Sequence, residues 1–157
     1  AKGRPQDNPL IVHIASLEEL PALVRQVPDA AKKLAETFWP GPLTMIFYKS
    51  EKIPAETSAG LDTVGIRMPS PPVVRQAIEA SGCAFAAPSA NLSGKPSPTT
   101  AQDVWTDMQG RLPLILDGGP CAVGVEFTVC RWQGKSPSCS GPATSLWRTS
   151  SGLWGRK

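Results

Sequence analysis

Apolar residues along this chain fall into short runs broken by proline and glycine. Leu10-Ile11-Val12-His13-Ile14 is rich in β-branched side chains, follows a proline and predicts a short buried strand. Ser16-Leu17-Glu18-Glu19 has the spacing of a capping box, with Ser16 reaching forward and Glu19 reaching back. Pro21 lies too deep for a regular helix from Leu17, so either an irregular first turn or a helix opening at Pro21 is expected. Val27-Pro28-Asp29 opens the next helix, with Ala30, Ala31, Leu34, Ala35 and Phe38 at helical spacing. Trp39-Pro40-Gly41-Pro42 ends it, because proline cannot continue a helix and glycine suits the exit.

Residues 43–48 and 64–68 read as strands. Pro71-Pro72 opens a helix carrying Val73, Val74, Ala77 and Ile78, which Ser81-Gly82 closes. Residues 84–87 read as a short strand, and residues 88–100 as a long polar loop without period. A helix follows from about Ala101, with Val104, Trp105 and Met108 on one face. Residues 112–116 predict a strand ending in Asp117-Gly118-Gly119, and residues 123–129 begin another. Strands and helices alternate, so the class is α/β, and adjacent strands argue for a mixed sheet.

Past Val129 the pattern stops. Leu146 and Leu153 are the only aliphatic residues larger than alanine there, too few to bury a core alone. The expected organisation is a domain over residues 1–129, incomplete at its N-terminus, and a disordered basic tail over residues 130–157. Charge sharpens the division. Residues 1–129 carry 11 Lys and Arg against 13 Asp and Glu, whereas residues 130–157 carry 5 against none. That tail also holds three of the five Trp and two of the four Cys.

The 157 residues suit one domain, and 17 Pro with 14 Gly exclude a helical bundle. No apolar run approaches the roughly 18 residues of a membrane helix, and Ala1-Lys2-Gly3-Arg4 opens no signal peptide. A cytoplasmic chain without membrane contact is expected. Cys83, Cys121, Cys130 and Cys139 lack C-x-x-C spacing and read as free thiols, not as a metal site.

Three places carry candidate chemistry. Lys2-x-Arg4, stiffened by Pro5 and Pro9, sets two cations at a spacing that clamps a polyphosphate; a solvated basic terminus is the plainer reading. Residues 89–100 offer Ser89, Asn91, Ser93, Ser97, Thr99 and Thr100, and helix amides beyond them would favour an anion. A serine-rich connection with an ordinary cap remains open, and no Walker loop is present. His13, the only histidine, gives a catalytic triad weak footing. Arg67 lies in an apolar strand, where an unpaired cation is expensive, so it needs an anionic partner or a surface position.

Together these segments resemble one family. Residues 2–13 read KGRPQDNPLIVH, residues 39–44 WPGPLT, and residues 59–69 AGLDTVGIRMP; residues 87–99 read APSANLSGKPSPT and residues 117–119 DGG. They are similar, in order over residues 1–129, to the YrdC-type threonylcarbamoyl-adenylate synthases. The resemblance implies a twisted mixed sheet with flanking helices around a concave basic cavity. It implies a nucleotidyltransferase that joins L-threonine, bicarbonate and ATP, with Mg²⁺ on the phosphates, into threonylcarbamoyl-adenylate and pyrophosphate. The product would feed a transferase complex that forms t6A in tRNA. Lys2, Arg4, Ser89 and Asn91 would form the catalytic set, with Arg4, Asn8, Thr63, Ser89 and Ser97 on ATP. His13, Arg67 and Ala87 would hold threonine, with Arg67 on its carboxylate, and no protein metal site is implied.

The chain departs from the family's pattern in three places. A strand with a Thr-Val-Tyr-Gly-Leu turn is expected ahead of Lys2. Glu126-Phe127-Thr128 stands where the family has Glu-Ser-Thr, and Cys139-Ser140-Gly141-Pro142 stands where a Leu-Arg-Pro-Gly element is expected. Two other readings stay open. One is a YrdC-like module that binds tRNA or double-stranded RNA without turnover. The other is the related carbamoyl-adenylate domain of a hydrogenase-maturation protein, which would normally carry zinc-finger cysteines.

Overall fold

The computed structural model describes residues 2–121, 128–133 and 136–140. Among the described residues six strands form one sheet: β1 (Ile11–His13), β2 (Leu43–Tyr48), β3 (Thr63–Arg67), β4 (Phe85–Ala87), β5 (Thr128–Gln133) and β6 (Ser136–Ser140). Their order is β4-β1-β3-β2-β5-β6. The pairs β1–β3 and β2–β5 are parallel, and β1–β4, β2–β3 and β5–β6 are antiparallel. The sheet is mixed, as expected. Four helices among the described residues accompany it: α1 (Leu20–Leu23), α2 (Asp29–Phe38), α3 (Pro72–Ser81) and α4 (Ala101–Met108).

The local signals explain most boundaries. Glu19 Oε1 accepts from the Ala15 and Ser16 amides at 2.8 and 2.9 Å, and the first turn is a 3₁₀ segment before α1. That is the irregular turn Pro21 demands. The aliphatic stripe of α2 buries Ala31, Leu34 and Ala35, and Gly82, at φ 68°, ends α3.

Strand alternation gives the sheet two unlike faces. Val12, Leu43, Met45, Phe47, Val64, Ile66 and Cys130 share one buried cluster with Ile14, Leu20, Val24, Leu34, Ala35 and Trp39. The alternate positions Ile11, His13, Thr44, Ile46, Thr63, Gly65 and Arg67 project the other way. Register adds β4 to that second face, because Phe85 pairs with His13 and Ala87 with Ile11.

Three expectations are corrected. Residues 112–116 form no strand: Pro113 lacks an amide, no strand among the described residues lies alongside, and Leu114 and Leu116 are 70% and 60% exposed. Past Val129 the sheet continues instead of stopping. β5 runs to Gln133 and β6 pairs with it through Gln133↔Ser136. Pro137 is tolerated because β6 is the edge of the sheet. Cys130 and Cys139 face each other in this hairpin and form a disulfide, so the free-thiol reading holds for Cys83 and Cys121 only. No helix among the described residues is long and apolar enough to cross a membrane. Phe127, Glu126 and the tail from residue 141 lie outside the described residues.

Candidate functional site

Residues 2–10 run into β1 and lay Lys2 against the 88–100 loop. Lys2 Nζ donates to the Ser89 carbonyl at 2.7 Å and to Ser89 Oγ and Asn91 Oδ1 at 3.4 Å each. Asn91 is buried; its side-chain nitrogen donates to the Leu92 and Lys95 carbonyls at 3.0 and 2.6 Å, which turns Oδ1 toward the ammonium. The Ser93 amide closes the tie on the Lys2 carbonyl at 3.1 Å. Burial, then the neighbouring charge of Arg4, pulls the Lys2 pKa below its ordinary value. Arg4 Nη2 donates to the Asn8 and Pro9 carbonyls at 3.2 and 2.7 Å, curling residues 4–9 around the guanidinium, while Nε is buried without a partner.

The second face of the sheet carries the other group. Phe85, His13 and Arg67 form one cross-strand row over β4, β1 and β3. Ala87, Ile11, Gly65 and Ile46 form the next. Neighbouring strands lie roughly 4.8 Å apart, so His13 and Arg67 are side by side. Burial first, and then the Arg67 charge, lowers the His13 pKa to about 4. The imidazole is therefore neutral at neutral pH, and its Nδ1 is buried without a partner. Arg67 pairs with no carboxylate among the described residues. Burial pulls its pKa down too, yet a guanidinium stays charged at neutral pH.

One backbone turn aims that guanidinium. Arg67 Nε donates to the Gly41 carbonyl at 3.0 Å, and the Gly41 amide donates to the Met68 carbonyl at 2.9 Å. Trp39 Nε1 fixes the far side of the turn on the Leu43 carbonyl at 2.7 Å. A Cβ on Gly41 would collide with the Phe38 carbonyl oxygen, so glycine is required there. The Trp-Pro-Gly-Pro segment reads in the sequence as a helix stop. Its grip on Arg67 was missed, because a carbonyl 26 residues away has no sequence signature.

Other expected residues are less closely joined. Thr63 opens β3 opposite Tyr48, Asn8 is exposed, and Ser97 is exposed in the loop. Among the described residues no hydrogen bond joins Thr63 or Ser97 to the Lys2 cluster. The N-terminus of α4 is a poorer anion site than the sequence suggests. Asp103 Oδ2 accepts from the Thr99 and Thr100 amides, Thr100 Oγ1 accepts from the Asp103 amide, and hydrogen bonds led by Thr100 keep that carboxyl ionised well below its usual range.

The set Lys2, Arg4, Ser89 and Asn91 is cationic or neutral and suits phosphate oxygens. It does not fit a resident divalent ion, and among the described residues no group of three His, Cys, Asp or Glu side chains is placed to hold one. The row of His13 and Arg67 suits a small ligand carrying a carboxylate. Fold and site thus define an α/β domain with a phosphate-suited cluster beside a carboxylate-suited sheet face.

The chain belongs to the Sua5/YciO/YrdC family. The family model Sua5_yciO_yrdC, described as "Telomere recombination", matches residues 1–140. Threonylcarbamoyl-AMP synthase of Pyrococcus abyssi is 54% identical over 129 residues, covering 82% of this chain and 38% of that protein. Threonylcarbamoyl-AMP synthase of Bacillus subtilis is 54% identical over 130 residues, with the same two shares of 82% and 38%. The crystal structure of P. abyssi Sua5 complexed with L-threonine superposes with a TM-score of 0.88 at 47% identity, covering 94% of this chain and 44% of that one. The chain thus spans about two-fifths of the length of these relatives.

Proposed function

We propose that this chain carries the site of an L-threonylcarbamoyladenylate synthase, a nucleotidyltransferase acting on L-threonine, bicarbonate and ATP. The observation that carries the reading is the pairing of His13 with Arg67 on the sheet face opposite the core. Arg67, free of carboxylates among the described residues, takes the threonine carboxylate, while neutral His13 and Ala87 border the rest. The amino group and bicarbonate give a carbamate with loss of water. A carbamate oxygen then attacks the α-phosphorus, the bond to the β-phosphate breaks, and pyrophosphate leaves. Lys2 and Arg4 offset the growing charge, and Ser89, Asn91, Asn8, Thr63 and Ser97 orient the nucleotide. Mg²⁺ enters with ATP on its phosphate oxygens, and no step runs through a metal held by the protein.

Such a reaction needs positioning and charge neutralisation, not a protein nucleophile. Relatives named threonylcarbamoyl-AMP synthase and the threonine complex of Sua5 support the reading. The proposed setting is cytoplasmic, with tRNA modification downstream. The test is pyrophosphate release from ATP by the 157-residue chain. Release should require both threonine and bicarbonate. Salt-sensitive RNA binding without any turnover would replace this reading by that of an RNA-binding module.

A further inference from the structure

The connection between β2 and β3, residues 49–62, is held from inside by one cation. Lys49 Nζ donates to Ser58 Oγ at 2.7 Å. Ser58 is fully buried, and its hydroxyl donates onward to the Ala55 carbonyl at 3.2 Å. Among the described residues Lys49 has no carboxylate partner, so its charge is directed at a neutral, buried hydroxyl. Hydrogen bonds from a charged donor are the strong kind. The backbone they hold needs holding: Ala59 stands at φ 51° beside Gly60 at φ 77°. A non-glycine residue in that region persists only where its surroundings fix it.

Ser50 ties one end of this loop to the Leu23 and Ala22 carbonyls of α1, and one further tie reaches the nucleotide side. The Thr57 carbonyl accepts from the Leu10 amide at 2.8 Å, directly after the 4–9 segment that Arg4 curls. Within the loop, the Asp62 carbonyl accepts from the Lys49 amide at 3.0 Å, directly before Thr63. The threonine side lies elsewhere. Arg67 is at the far end of β3, about 13 Å along the strand from Thr63, and Gly41 holds it there.

We infer that Lys49 is a positioning residue for the nucleotide, acting through Ser58 and the adjoining Thr57 carbonyl to place Arg4 and Asn8. The inference rests on the reading of those residues as ATP contacts.

The test compares Lys49→Met and Lys49→Arg with the parent chain. Calorimetry measures ATP and L-threonine separately, and hydrogen exchange follows the Leu10 amide. Lys49→Met should bind ATP about tenfold more weakly, as a displaced contact segment does. Threonine affinity should stay within about twofold, since the arginine side is held independently. Leu10 exchange should quicken, and Lys49→Arg, which can still donate to Ser58, should recover most of the ATP affinity. Equal loss of both affinities marks a general structural defect and overturns the proposal, as does unchanged ATP binding in Lys49→Met. A parent chain that binds no ATP overturns the site reading and this proposal with it. A parent that binds ATP beside an unaffected variant overturns this proposal alone.

Discussion

The two faces of the sheet are made from alternate residues of the same strands, yet they differ in what their side chains leave unsatisfied. On the core face, Val12, Met45, Phe47, Val64 and Ile66 have no polar atoms to satisfy and are packed under α2 and its neighbours. On the other face, among the described residues, His13 Nδ1 and Thr44 Oγ1 are buried without partners, and Arg67 is a cation without a carboxylate. Unpaired buried polar groups cost stability, so a face that collects them is shaped by something other than folding. One face holds the fold, and the other is the face proposed to take a ligand.

Adjacent residues of β3 give the largest test of that contrast. Ile66 is fully buried and Arg67 is its neighbour on the opposite face. Ile66→Ala should lower the urea-unfolding free energy by about 4 kcal/mol, the usual loss for a cavity at such a site. Arg67→Met should change it by less than about 1 kcal/mol and weaken threonine binding about a hundredfold, the cost of losing a buried charge partner. If Arg67→Met unfolds the chain as readily as Ile66→Ala, the two faces are not functionally distinct.

A second, smaller effect separates the faces by pH. The His13 pKa is about 4 in the folded chain against an ordinary 6.5. The unfolded state therefore takes up a proton first as pH falls. The stability tied to neutral His13 is complete above pH 6.5, declines between 6.5 and about 4, and is lost below the folded value. The difference amounts to about 3 kcal/mol. Urea midpoints followed from pH 7 to pH 4 should fall steeply for the parent chain and less steeply for His13→Gln. Parallel curves would mean that His13 is not held neutral by its surroundings.

Much of the core face was legible in the sequence, because alternation and helical spacing record burial directly. Proline and glycine at residues 28, 40–42, 71–72 and 82 marked the ends of α2 and α3 well. The phosphate-side cluster was legible as motifs, and the structure joins Lys2 to Ser89 and Asn91 across 87 and 89 residues. What escaped was whatever depends on a partner strand. Residues 112–116 look like a strand but have no strand beside them among the described residues. Residues 136–140 do not look like one, yet β5 supplies their ladder and Cys130 faces Cys139. A strand is a pairing, and one segment's composition records only half of it.

Ser89 gives the smallest effect and the finest division between structural and ligand roles. The short bond from Lys2 goes to the Ser89 carbonyl at 2.7 Å, whereas the hydroxyl stands 3.4 Å away. Ser89→Ala therefore keeps the tie that joins residue 2 to the loop and removes only the hydroxyl. Its exposed position leaves no cavity behind. The melting temperature should move little, while ATP affinity should fall about tenfold, the scale of one hydrogen bond to a charged group. Arg4→Ala should lose at least as much, because its guanidinium, besides its proposed phosphate contact, curls residues 4–9. The informative comparison is between these two variants. If Arg4→Ala weakens ATP binding and Ser89→Ala does not, the loop serves as a support for Lys2 and the nucleotide lies on the N-terminal segment alone. If neither variant changes nucleotide affinity, the cluster is a structural clasp, and the ligand-adapted part of the molecule shrinks to the row of His13 and Arg67.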